Sequence, residues 1–240
     1  MFYLSRRFTR SLQPLALLAL VLFAAKLQAD QLSVAVASNF AIPMKQLLVR
    51  FEQSSKHKVN ASYASSGKIY AQIINGAPFD VFLSADQDKP KRLLEAGYVR
   101  KTDVRTYAVG SLVLVSADQE RNPLDQLQNN DFDRLSLANP RFAPYGIAAN
   151  QVLEKLKLVA LSRPKWILGE NIAQTYQFAS SGYAQLGFVA RSQTLDQTRG
   201  IWIIPQSLYE PIIQDAVILK RTRRRPAAEE FLGFLQSDSS

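Results

Sequence analysis

Short apolar runs alternate with helically spaced apolar residues along this chain, and this alternation constrains its fold more than any other feature. In the first half, strands are predicted at residues 32–36, 59–63 and 81–83, and each is followed by a helical pattern. Strands that alternate with helices favour a mainly parallel sheet covered by helices. The sequence therefore predicts an α/β fold.

A second set of the same kind follows, so we expect two lobes. Its predicted strands lie at 135–138, 166–168 and 185–189, with helices near 148–158 and 172–181. Two longer β-prone runs, 107–115 and 209–219, stand before and after this set.

These two runs are the candidate crossings between the lobes. They place a first lobe at 30–107, a second lobe at 108–214 and a return segment of the first lobe at 215–240. Two interleaved lobes joined by two crossings form a hinged clamp around a cleft.

The first 29 residues have the pattern of a secretory signal peptide. Arg6, Arg7 and Arg10 precede an apolar run at 15–25, and Ala29 is a small residue at the expected cleavage point. The alternative is a membrane anchor, but a span needs about 20 apolar residues and this run is much shorter. We expect an exported protein that is cleaved near Ala29.

The charge is positive but offers little support for nucleic-acid binding. The predicted signal peptide carries four basic and no acidic residues, so its removal lowers the formal charge from +9 to +5. Much of the remainder lies in the run 220–225, and no aromatic residue interleaves with it. We interpret this run as a solvated edge before a helix that starts at Pro226.

Few residues suited to catalysis or metal binding are available. The chain has no cysteine and one histidine, His57, so the common zinc sites are not expected. No Gly-x-Ser-x-Gly nucleophile motif occurs. We therefore expect no catalytic residue, no cofactor and no bound metal cation, and an anion-processing enzyme is the remote alternative.

Small polar residues recur where a predicted strand gives way to a helix. Four such junctions, two in each half, are Ser38-Asn39, Ser65-Ser66-Gly67, Pro144-Tyr145-Gly146 and Glu170-Asn171-Ile172. One alone is an ordinary helix cap. Helix N-termini present unpaired N–H groups and partial positive charge, so four that meet in one cleft would form an anion site.

The same segments resemble the periplasmic molybdate-binding proteins. The resemblance is carried by 34–40 (VAVASNF), 63–69 (YASSGKI), 76–86 (GAPFDVFLSAD) and 139–146 (NPRFAPYG), with 187–190 (GFVA) in support. It extends from about residue 32 to 235, and the four segments in this order are specific together.

This resemblance implies a type II periplasmic-binding fold that holds molybdate or tungstate between its lobes. It further implies a monomer that delivers the oxyanion to the membrane permease of an ABC importer. By motif position the donors would be neutral: Ser38, Asn39, Ser66 and the backbones of Tyr145 and Ile172.

Two positions depart from the family pattern. One branch has a tyrosine donor after the Gly-x-Val strand, where this chain has Ala190, and Asn39 is the candidate for the missing contact. Family members also continue past the helix around Phe231 with another helical segment, whereas this sequence stops at Ser240.

Other ligands stay open at this point. A sulfate or phosphate binder would share the fold, and the sequence does not show the pocket geometry that separates molybdate from sulfate. A binder of amino acids or other organic ions would need an arginine for a carboxylate and an aspartate for an ammonium group. We find neither at the four junctions.

Overall fold

The computed structural model describes residues 31–237, so the predicted signal peptide lies outside the described residues. Ten strands are present in this range. They are β1 (Gln31–Ala37), β2 (Lys58–Ala64), β3 (Val81–Leu83), β4 (Val99–Gly110), β5 (Leu112–Ser116), β6 (Leu135–Ala138), β7 (Trp166–Gly169), β8 (Leu186–Ala190), β9 (Ile201–Ile203) and β10 (Ile212–Leu219).

Eight α-helices lie between and after these strands in the described range. They are α1 (Ala41–Ser54), α2 (Ser66–Ile74), α3 (Asp88–Glu95), α4 (Pro123–Gln128), α5 (Pro144–Lys155), α6 (Val159–Ser162), α7 (Ile172–Ser180) and α8 (Arg225–Ser237). The predicted α/β class is confirmed.

The strands form two separate five-stranded sheets, one in each lobe. The first has the order β2-β1-β3-β10-β4 and the second has the order β7-β6-β8-β5-β9. In each sheet three neighbouring strands are parallel, β2-β1-β3 in the first and β7-β6-β8 in the second. Parallel strands buried on both faces read as continuous apolar runs, which is how the sequence presents β1 and β8.

The chain passes between the lobes twice, next to the paired strands β4 and β10. These two run antiparallel in the first sheet, from Ile212 opposite Gly110 to Leu219 opposite Val99. The outward passage is a single residue, Ser111, before β5 begins the second sheet. The boundaries expected from sequence, at 107/108 and 214/215, fall inside β4 and β10.

The carboxyl ends of the parallel strands in both sheets point toward the space between the lobes. In open α/β sheets, ligands bind in the crevice at these ends. Among residues 31–237, no helix combines the length and the apolar character needed to cross a membrane.

Candidate functional site

A small cavity lies between the lobes where the strand ends meet. Its volume is about 10 Å³, far below the roughly 300–1,000 Å³ of pockets for drug-sized ligands. It is lined by Ala37, Ser38, Asn39, Ser65, Ser66, Ala85, Ala143, Pro144, Tyr145 and Ile172. None of these lining residues carries a charge, so the site suits a ligand of few atoms that is held by neutral groups.

The wall from the first lobe consists of polar side chains. Ser38 and Asn39 are buried in a short 3-10 turn that follows β1. Ser66 is the first residue of α2, and its hydroxyl accepts a hydrogen bond of 2.9 Å from the Ala85 N–H after β3. That bond leaves the Ser66 hydroxyl hydrogen available as a donor.

The wall from the second lobe presents backbone, beginning with the N-terminus of α5. Pro144 is its first residue and has no N–H, and the N–H groups of Gly146 and Ile147 both donate to the Ala143 carbonyl. In the described part of the chain, the Tyr145 N–H is thus the first-turn donor of α5 that remains for a ligand.

Gly146 allows α5 to begin this close to the sheet. A Cβ at this position would clash with the carbonyl oxygen of Ala138, the last residue of β6. Glycine therefore lets the helix start directly at the strand end, and this places the Tyr145 backbone at the cavity.

The N-terminus of α7 supplies the second backbone group of this wall. The side chain of Asn171 accepts hydrogen bonds from the N–H groups of Ala173 and Gln174. Within residues 31–237, the Asn171 side chain accepts no hydrogen bond from the Ile172 N–H, and this N–H remains at the cavity. An isoleucine side chain offers an anion no hydrogen bond, so any polar contribution of Ile172 comes from its backbone.

Several polar contacts connect the two lobes around the cavity. The Gly67 N–H donates to the Phe142 carbonyl over 3.0 Å, and the Ser192 hydroxyl donates to the Asn39 carbonyl over 2.7 Å. At the rim, Lys68 Nζ lies 2.8 Å from a carboxylate oxygen of Glu170. The described conformation is therefore one in which the lobes are closed on each other.

A buried network of polar side chains lies behind the cavity at the crossing strands. The Asn39 amide donates to Gln214 Oε1 over 2.8 Å, and the Tyr107 hydroxyl donates to the same oxygen over 3.1 Å. Burial raises the pKa of both Tyr107 and Tyr145 above the ordinary tyrosine value. Both phenols therefore stay neutral, and no phenolate stands beside the anion site.

All five residues predicted from sequence, Ser38, Asn39, Ser66, Tyr145 and Ile172, line this one cavity. Their role as ligands stays a prediction. Ala190 is buried, and its N–H donates to the side chain of Gln193. The Asn39 side chain donates to Gln214 and also hydrogen-bonds the Tyr145 phenol, so its capacity to replace a missing tyrosine donor is limited.

The junction pattern in the sequence does not indicate Gln214 or Tyr107, and it includes Ser65 only as part of the Ser65-Ser66-Gly67 junction. A signal for Gln214 existed, because it is a polar residue inside the apolar run of a crossing strand. Residues 31–237 contain no group of three or more histidine, cysteine, aspartate or glutamate side chains placed to hold an ion.

Two lobes with interleaved chain crossings and a small uncharged cleft define the class of two-lobed solute-binding proteins. The sequence comparisons agree with this class. The family model described as bacterial extracellular solute-binding protein matches residues 32–240, and the chain belongs to that family.

Several similar proteins within this class are molybdate-binding proteins. The chain is 46% identical over 222 residues to a molybdate-binding protein of Azotobacter vinelandii, covering 90% of this chain and 88% of the relative. It is 43% identical over 211 residues to a molybdate-binding protein of Rhodobacter capsulatus, covering 87% and 84%. The solved periplasmic molybdate-binding protein of Azotobacter vinelandii superposes with a TM-score of 0.82 at 37% identity, covering 86% of this chain and 93% of that one.

Proposed function

We propose that this protein captures molybdate, and with it tungstate, in the periplasm and delivers the oxyanion to the membrane permease of an ABC importer. The observation that carries the proposal is the uncharged cavity walled by hydroxyls, an amide and helix N-termini. Relatives named as molybdate-binding proteins, at 43–46% identity over most of both chains, support the choice of ligand.

A site of this kind matches the chemistry of molybdate. Molybdate is a fully deprotonated dianion near neutral pH, so its oxygens accept hydrogen bonds and it has no proton to give. Each hydrogen bond to a charged group contributes roughly 1.5–3 kcal/mol. A carboxylate in the cavity would repel the dianion and would favour protonated phosphate, and no carboxylate lines this cavity.

The proposed donors divide between the lobes. Ser38, Asn39 and Ser66 act through the first lobe, and the backbone N–H groups of Tyr145 and Ile172 act through the second. Because both lobes contribute donors, the ligand favours the closed arrangement over an open one.

We extend the proposal to the maturation and assembly of the protein. The signal peptide would be cleaved near Ala29 during export, and the mature protein would work as a monomer. N-terminal sequencing of the exported protein and its mass in solution test these two statements.

A thermal-shift screen tests the ligand. Sodium molybdate and tungstate should raise the melting temperature of the protein, whereas sulfate, phosphate and amino acids should raise it much less. A ligand at about 1,000 times its dissociation constant adds about 4 kcal/mol to the free energy of unfolding. A larger shift with sulfate or phosphate at equal concentration would assign the site to that oxyanion instead.

A further inference from the structure

The hydroxyl of Ser65 stands out among the polar groups around the cavity. Ser65 is a lining residue with only 3% of its surface exposed. In the described part of the chain its Oγ atom is buried and has no hydrogen-bond partner. Its neighbour Ser66 differs, because the Ser66 hydroxyl already accepts from the Ala85 N–H.

The position of Ser65 before α2 explains why its hydroxyl has no hydrogen-bond partner. Ser65 is the residue before α2, with the extended backbone typical of a helix cap (φ −70°, ψ 150°), yet its side chain makes no capping hydrogen bond. A capping serine normally accepts from one of the first helical N–H groups. Here the Gly67 N–H donates instead to the Phe142 carbonyl across the cleft. The contact between the lobes thus replaces the usual role of the Ser65 side chain.

We propose that the Ser65 hydroxyl donates a hydrogen bond to an oxygen of the bound oxyanion, beside Ser66. The inference rests on the proposed function. A buried hydroxyl without a partner destabilises a protein, and a ligand oxygen in the adjoining cavity would relieve this. The hydroxyl hydrogen rotates freely about the Cβ–Oγ bond, so it can be directed at the ligand when the ligand arrives.

A ligand role and a structural role predict opposite effects of Ser65→Ala. If the hydroxyl has no partner in the unliganded protein, alanine removes an unsatisfied polar group and the melting temperature should stay unchanged or rise. The same substitution removes a donor from the bound oxyanion, so the dissociation constant should increase. Loss of a structural hydrogen bond would instead lower the unliganded melting temperature.

The experiment measures both quantities on the purified mature protein. Titration calorimetry with sodium molybdate should give a dissociation constant at least tenfold higher for Ser65→Ala, which corresponds to about 1.4 kcal/mol. Ser66→Ala is the matched control, because it removes the acceptor of the Ala85 N–H and should lower the unliganded melting temperature as well as the affinity. Unchanged affinity in Ser65→Ala, or a fall in its unliganded melting temperature, would overturn the inference.

Parallel titration with sodium sulfate separates this inference from the proposed function. A wild-type protein that bound sulfate and not molybdate would reject the proposed ligand, while a tenfold weaker affinity of Ser65→Ala for sulfate would still support the Ser65 donor. A wild-type protein that bound neither oxyanion would overturn both. A crystal structure with molybdate should place Ser65 Oγ about 2.5–3.0 Å from a ligand oxygen.

Discussion

The two walls of the cavity present different kinds of polar group: side chains in the first lobe and backbone N–H groups in the second. The first lobe contributes the side chains of Ser38, Asn39, Ser65 and Ser66, whereas the second contributes helix starts whose side chains at the cavity are largely apolar. A side-chain wall can be changed by ordinary substitution. A backbone wall changes only where a residue removes the N–H or prevents the close approach of the lobes.

The largest expected loss of molybdate affinity comes from a charge placed in the first-lobe wall, which consists of side chains. Ser38→Asp puts a carboxylate against the dianion, and like charges brought together at a buried contact cost several kcal/mol. Calorimetry with molybdate should detect no tight binding. Ser38→Asn is the matched control, since it has a similar size and no charge, and it should retain more affinity. If the aspartate variant is folded and binds like the control, Ser38 lies outside the site.

The second-largest loss of molybdate affinity is expected when a backbone N–H is removed from the second-lobe wall. Ile172→Pro deletes the N–H at the first position of α7, where proline is tolerated. Asn171 has the extended backbone that a following proline requires (φ −153°, ψ 171°). We expect loss of tight molybdate binding with the fold retained, as circular dichroism would check.

Ile172→Val controls for the side chain in this comparison. It keeps the N–H and most of the packing, so affinity should change by less than about 1 kcal/mol. A folded proline variant with the affinity of the parent would show that the second lobe does not act through this backbone group.

The smallest effect concerns the approach of the lobes, with every donor kept. A Cβ at Gly67 would lie 3.0 Å from the Phe142 carbonyl oxygen and 3.1 Å from its Cα. Gly67→Ala should therefore hold the lobes slightly apart and weaken molybdate binding several-fold. Because alanine favours a helix over glycine by roughly 0.5–1 kcal/mol, the unliganded protein should not lose stability.

Gly233→Ala is the matched control for this variant. Gly233 lies inside α8, and a Cβ there meets nothing within 4 Å. This substitution should give a similar gain in stability and leave the affinity unchanged. Equal affinities in the two variants would mean that the Gly67–Phe142 contact is irrelevant to ligand binding.

Local patterns in the sequence predict one part of this structure well. The alternation of strands and helices fixes the α/β class, and residues that follow a parallel strand must lie at its carboxyl end. For this reason the sequence alone places the junctions at Ser38, Ser66, Tyr145 and Ile172 in one cleft.

Contacts between distant parts of the chain leave no such local signal. The hydrogen bond from Asn39 to Gln214 joins residues 175 positions apart. The position of Gln214 follows from the pairing of β10 with β4, which no local sequence pattern specifies. The unpaired state of the Ser65 hydroxyl likewise depends on where Phe142 of the other lobe lies. Such features follow from the packing of the two lobes rather than from residue type at one junction.

Three of the contacts that join the lobes also bear on how fast a ligand leaves. None of them involves the ligand, yet each must break before the cleft opens, so together they lengthen the residence time of the occupant. Two are hydrogen bonds at or near the buried cavity, from Gly67 to Phe142 and from Ser192 to Asn39. Only the Lys68–Glu170 pair is a solvent-exposed ion pair, of the kind that salt screens. Release of the ligand should therefore respond weakly to ionic strength, and a partner that opens the cleft must break these contacts.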